Sequence, residues 1–176
     1  MAVDNVVVKV YTDGAYSRKD DCGGWGVVAD VFTDEGFKRY EFSGAEPHVS
    51  SQKMELLAGA KALKFIQTLM AKLGTPQNFT CIIVSDSAYL IRALNEGWID
   101  KWKRYRWVKA DGDKVKNVEF WKDIDSRLYS LSNDGVYPIF HQVKGHDGEP
   151  GNERADKLAV EARKEMSENA EWSQND

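Results

Sequence analysis

Cysteine is scarce: the 176-residue chain has two, Cys22 and Cys81, too few for a disulfide framework. The three histidines, His48, His141 and His146, are scattered, so no zinc site is expected. No apolar run approaches the roughly 20 residues that a membrane helix needs. The opening Met1-Ala2-Val3-Asp4-Asn5 lacks a basic stretch followed by an apolar one, the pattern of a secretory signal. These gaps point to an intracellular, cytoplasmic protein with no membrane partner and with a monomer as the default. What is present excludes disorder and collagen: 42% of residues are hydrophobic, with six Trp, seven Tyr and seven Phe, enough to build a core. Cys81 lies in the apolar run Cys81-Ile82-Ile83-Val84, where a buried thiol is expected.

The hydrophobic pattern changes period along the chain. Val6 to Thr12 is β-branched and apolar with one lysine, and reads as a buried strand ended by Asp13-Gly14. Trp25 to Phe32 and Phe37 to Phe42 follow as strands around the turn Thr33-Asp34-Glu35-Gly36, which makes an antiparallel meander of three. From Ser51 the spacing becomes helical, with Met54, Leu57, Ala58, Ala62, Phe65, Ile66, Leu69 and Leu73 on one face. Ser50 or Ser51 can cap its start and Gly74 ends it. Thr80 to Ser85 is a fourth strand, Tyr89 to Leu94 a short helix, and Asn117 can cap a helix facing inward with Phe120, Trp121, Ile124, Leu128 and Leu131. Val136 to Val143 reads as a fifth strand, and Asn152 as the cap of a last helix carrying Ala155, Leu158, Ala159, Ala162 and Met166. The polar, acidic stretch 167–176 is expected to fray as a tail behind one domain spanning 1–166. The order βββαβααβα implies an α/β domain: a mixed five-stranded sheet, its first three strands antiparallel, with helices on both faces.

Two strands end in nearly the same words, Tyr11-Thr12-Asp13-Gly14-Ala15-Tyr16 and Val84-Ser85-Asp86-Ser87-Ala88-Tyr89. Ligands of open α/β sheets sit beyond the carboxyl ends of strands, so Asp13 and Asp86 share a rim if these strands are parallel neighbours. Glu55 in the first turns of one helix and Asp156 in the last helix both stand among core-facing positions. Taken singly, Asp-Gly after a strand is a turn, and acids near helix starts complement the macrodipole. Taken together, four converging carboxylates repel by about 4 kcal/mol per pair at 4 Å and an effective dielectric of 20, and bound cations are what readily offsets that.

Thr12-Asp13-Gly14, Met54-Glu55-Leu56, Ser85-Asp86-Ser87, Val143-Lys144-Gly145-His146 and Asn152-Glu153-Arg154-Ala155-Asp156 occur in the order and context of one family. From about Val6 to Ala162 the chain resembles type 1 ribonuclease H. The resemblance implies an RNase H-like fold and an endoribonuclease that hydrolyses the RNA strand of RNA–DNA hybrids, leaving 5′-phosphate and 3′-hydroxyl ends. It implies that Asp13, Glu55, Asp86 and Asp156 hold two Mg²⁺ ions, with Mn²⁺ as a possible substitute, and that His146 assists proton transfer or product release. Carboxylates suit such hard cations.

Between Trp98 and Val118 seven cations, Lys101, Lys103, Arg104, Arg106, Lys109, Lys114 and Lys116, face three aspartates, a local +4 inside a chain of −4. Interleaved with Trp98, Trp102, Tyr105 and Trp107, this pattern suits a nucleic-acid groove. It resembles the basic protrusion, or handle, of the bacterial and animal-type enzymes. The resemblance further places the Gly14 and Ala15 amides and Gln52 on the RNA side, and Ser50, Trp98, Trp102 and Asn117 on the DNA side. Two departures touch these contacts: Ser51 stands where many relatives have Asn, and Ala88 where they often have Gln.

Overall fold

Val6, Val8 and Val10 project from one side of the first strand and Tyr11 from the other, and the two sets belong to different hydrophobic clusters. That alternation places a helical layer on each face of the sheet. The computed structural model describes residues 3–74, 76–145 and 147–174. Its order is β1 Asn5–Ser17, β2 Cys22–Thr33, β3 Gly36–Pro47, α1 Ser51–Leu73, β4 Asn78–Ser85, α2 Ala88–Asn95, α3 Trp98–Arg104, α4 Val118–Asn133, β5 Ile139–Gln142 and α5 Pro150–Gln174. The sheet runs β3-β2-β1-β4-β5, antiparallel across β1, β2 and β3 and parallel across β1, β4 and β5. The expected mixed five-stranded sheet is therefore present, with one short helix, α3, added inside the basic excursion.

On one face α1 buries Met54, Leu56, Ala58, Leu63 and Ile66 against Val8, Val10, Val27 and Ala29, and α4 adds Trp121 and Ile124. On the other, Ala155 of α5 meets Tyr11, Val28 and Val84. Glycines let α5 lie close: a Cβ at Gly24 or Gly26 would stand 2.0 Å or 2.2 Å from the carbonyl oxygens of Ala159 and Ala155. Ser50 is the residue that caps α1, accepting from the Lys53 amide at 3.2 Å, and Gly74 ends the helix at φ 72°. Both cysteines are buried, and burial pushes the Cys81 thiol up to about 12.

Several boundaries differ from the sequence reading. Asp13-Gly14 is not a turn: β1 continues to Ser17 because β2 keeps pairing with it after β4 has ended. The β5 strand is confined to Ile139–Gln142, since Pro138 has no amide to donate to a ladder. Helix α5 starts at Pro150, with the Glu149 carbonyl accepting from the Glu153 amide at 3.0 Å, so Asn152 lies inside the first turn and is buried. Asn117 occupies the position before α4 in a left-handed conformation, φ 58°, with no side-chain cap bond. The stretch expected to fray is largely helical, because α5 runs on to Gln174 through good helix formers such as Glu168, Ala170 and Glu171. Among the described residues no helix is long and apolar enough to cross a membrane.

Candidate active site and nucleic-acid interface

The parallel ladder between β1 and β4 ends at the pair Thr12 and Ser85, so Asp13 and Asp86 are the next residues on adjoining strands. Their carboxylates therefore share one rim of the sheet, as the topology requires. Asp13 is 7% exposed and accepts the Gly14 amide at 2.8 Å. Burial pushes its pKa from 3.8 to about 8; the Asp86 charge adds to this, the Gly14 amide opposes it, and Asp156 and Glu55 raise it further. The charges of the other three acids singled out in the sequence therefore all reach Asp13. Glu55 is half-buried in α1 and is also held above the ordinary carboxylate range, first by burial and then by Asp86, with the Ser87 hydroxyl opposing. Asp86 and Asp156 are half-buried. His146 lies outside the described residues.

Backbone packing fixes this rim. Gly14 lies against the start of α1, where a Cβ would come within 2.7 Å of the Glu55 amide nitrogen. Gly145 lies against Asp86, where a Cβ would meet Oδ2 at 2.7 Å. The Ser87 hydroxyl donates to Glu55 Oε2 and accepts from the Leu90 amide at 3.2 Å, linking the acid on α1 to the cap of α2. Sequence reasoning gave Ser87 no role, although a serine just before a helical run is a readable cap signal. It also missed Tyr11, whose hydroxyl donates to Glu149 Oε1 at 2.9 Å and ties β1 to the start of α5.

The donor set fits divalent cations. It consists of hard carboxylate oxygens that burden one another, as the raised Asp13 shows, and a cation at this rim relieves that burden. Among the described residues no group of three or more acidic, His or Cys side chains is already placed to hold a metal ion. Open arrangements of this kind suit Mg²⁺, which keeps several of its waters.

The residues expected at a nucleic-acid surface fall in two places. Gly14, Ala15, Ser50 and Gln52 lie near the carboxylates on β1 and at the start of α1, and the buried Oε1 of Gln52 has no partner among the described residues. The Ser50 oxygen is already engaged in its cap. Trp98, Lys101, Trp102, Lys103 and Arg104 are carried by α3 and Arg106 by the turn behind it, while Asn117 precedes α4 with a buried Nδ2 that likewise lacks a partner. Trp98 and Trp102 are both half-buried, meeting edge-on at 6.0 Å, so each serves partly as packing. Lys103 is tied to Asp125 at 3.0 Å.

The RNase H family profile matches residues 5–164. The chain belongs to the RNase H family. It is 39% identical over 153 residues to a ribonuclease H of Bradyrhizobium diazoefficiens, covering 87% of each chain. It is 36% identical to a ribonuclease H of Caldanaerobacter subterraneus subsp. tengcongensis, covering 96% of this chain and 99% of the relative. By these relatives the chain is an RNase H enzyme. Among solved structures it is similar in fold to a type 1 RNase H with the type 2 active-site motif, at a TM-score of 0.72 and 24% identity, covering 93% of this chain and 74% of the other. It is also similar to a foamy viral protease-reverse transcriptase in complex with RNA/DNA hybrid, at a TM-score of 0.66 and 21% identity, covering 92% of this chain and 20% of the other.

Proposed function

We propose that this RNase H cuts the RNA strand of RNA–DNA hybrids endonucleolytically, leaving 5′-phosphate and 3′-hydroxyl ends, at the rim formed by Asp13, Glu55, Asp86 and Asp156. The observation that carries the reading is the shared rim: Asp13 and Asp86 directly follow Thr12 and Ser85, the last pair of the parallel ladder, and the charges of Asp86, Asp156 and Glu55 all reach the buried Asp13. Uncompensated charge of one sign in a packed protein is a liability unless cations are part of the working state. The four carboxylates would hold two Mg²⁺ ions, with Mn²⁺ as a substitute. When bound, such a pair activates water and neutralises the leaving oxygen of a phosphodiester.

The chain's own residues do the rest. Gly14 and Ala15 amides and Gln52 face the RNA strand, where 2′-hydroxyls distinguish it from DNA. Ser50, Trp98, Trp102 and Asn117 line the DNA side, and Lys101, Lys103, Arg104 and Arg106 face phosphates. His146 takes the proton-transfer or product-release role. The decisive experiment is cleavage of one end-labelled RNA presented as hybrid, as RNA duplex and as single strand, with and without Mg²⁺. Hybrid-only, Mg²⁺-dependent cleavage is expected.

A further inference from the structure

Strand β3 is an edge of the sheet: it pairs with β2 on one side, and among the described residues no strand lies on the other. Every second residue along it therefore turns a backbone amide and carbonyl away from the sheet. The edge is long and regular. Gly36 to Pro47 stay in register with β2 without a bulge, no residue of the strand is buried, and its one proline is the last residue. Such an edge is a template for a further strand unless charge forbids it. Four side chains of β3 are charged. Arg39 and Glu41 are held within the chain, Arg39 by Asp30 at 2.6 Å and 2.8 Å and Glu41 by Arg154. Lys38 and Glu46 remain: both are exposed, and neither makes an ion pair among the described residues.

A lone lysine on an edge keeps other strands away, but these two charges are placed to answer each other. Lys38 stands four residues before Phe42 and Glu46 four after it. All three share the face on which Tyr40 and Phe42 meet Phe65 of α1, at 5.3 Å and 5.5 Å between ring centres. A second copy of β3 laid antiparallel about a two-fold axis at Phe42 therefore sets each Lys38 opposite the other copy's Glu46. The same register sets Phe42, 41% exposed, against its own copy, Tyr40 opposite Gly44, Arg39 opposite Ala45 and Glu41 opposite Ser43. No like charges face each other. Moving the axis to Glu41 sets that acid against itself, moving it to Tyr40 sets Glu46 against Asp34, and moving it to Ser43 sets Lys38 against His48. Charge thus selects one register.

We propose that β3 is a self-association edge, on which a second copy of this chain docks antiparallel about Phe42 to continue the sheet, with two Lys38–Glu46 pairs fixing the register. The interface is isologous, as a two-fold dimer requires. An edge-to-edge contact of this size belongs with weak, reversible associations, so the monomer is the dilute form. Each copy keeps its own Asp13 on β1 and Asp86 just past β4, and the inference does not depend on which substrate that rim takes.

The test is sedimentation velocity of the natural protein at low salt, from low micromolar to near millimolar concentration, beside three charge variants. The natural protein passes reversibly from monomer to dimer as concentration rises, and added salt weakens the dimer. Lys38→Glu alone sets acid against acid at both pairs and Glu46→Lys alone sets lysine against lysine, so each raises the dimer Kd about ten-fold or more. An equimolar mixture of these two variants restores opposite charges at both pairs and dimerises again, as does the double variant Lys38→Glu/Glu46→Lys. Recovery in the mixture shows at the same time that both variants are folded, and the Tm of each alone checks it. A natural protein that stays monomeric throughout, single variants that dimerise as well as the natural protein, or a mixture of two folded variants that stays monomeric overturns the inference.

Discussion

Gly26 lies directly against Ala155: a Cβ on the glycine would stand 2.2 Å from the alanine carbonyl oxygen. Gly26 is the β2 partner of Asp13, and Ala155 precedes Asp156, so this one contact governs how closely the acid on α5 approaches the acid on β1. Gly26→Ala forces a helix backbone off the sheet. The expected cost is about 1–3 kcal/mol, read as a Tm lower by about 2–4 °C per kcal/mol. Activity should fall further than the lost stability accounts for, measured where the variant is still fully folded. A variant with unchanged Tm and turnover would mean that α5 is not held by this contact.

Asp13 gives stability a pH dependence of definite sign. Its folded-state pKa of about 8 stands above the ordinary 3.8, so the folded protein keeps the proton that the unfolded chain releases. The stability contributed is complete below pH 3.8, declines as pH rises toward 8, and is gone above that. Glu55, also raised, acts in the same direction. In a chelating buffer Asp13→Asn should therefore gain on the natural protein through this window, its Tm ending the higher of the two at pH 8. Thermal melts across the pH range check it, and parallel curves for the two proteins would contradict it.

Mg²⁺ should reverse that ranking. A ligand that binds only the folded state stabilises by mass action, so the natural protein's Tm should climb with Mg²⁺ concentration while that of Asp13→Asn climbs less. Melting in a Mg²⁺ titration reads this directly. Equal slopes for the two would remove Asp13 from the cation site.

Ser87 serves two neighbours at once, the Glu55 carboxylate and the Leu90 amide. Ser87→Ala should cost about 0.5–2 kcal/mol through the lost cap, seen in urea unfolding. It should also move the acidic limb of the pH–rate profile upward, because Glu55 loses a donor to its charged form. A shift in stability without any shift in the profile would separate the cap from the site.

Asn117 sits at φ 58° without a side-chain cap bond. Asn117→Gly should therefore keep the stability of the fold, whereas Asn117→Ala, which tolerates a left-handed backbone less well, should lose about 1 kcal/mol. Both should weaken hybrid binding if the unpartnered Nδ2 reaches the DNA strand. Denaturant melts and hybrid binding of the pair distinguish the two roles.

Elements with a strong local pattern were legible in the sequence. Helix α1 shows its period, its cap and its terminal glycine, and these depend on neighbours only a turn away. The end of β1 was not legible, since Asp13-Gly14 carries turn chemistry that pairing with β2 overrides. Nor were Gly24 and Gly26, whose value lies in a helix more than a hundred residues further along. The four acids were read as a set through the motifs around them, because each alone has an ordinary structural use. Ser87 and Tyr11 lie in those same motifs, and their partners become visible only once α1, α2 and α5 are packed.

The measurement that tests the account most directly is Mg²⁺-dependent cleavage of an end-labelled RNA–DNA hybrid by the natural protein and by Asp13→Asn side by side. The account predicts that the natural protein cuts the RNA strand of the hybrid alone, and that the variant, folded and at least as stable in chelator, cuts nothing. A fully active Asp13→Asn, or binding of the hybrid by the natural protein with no cut at any Mg²⁺ concentration, would contradict it.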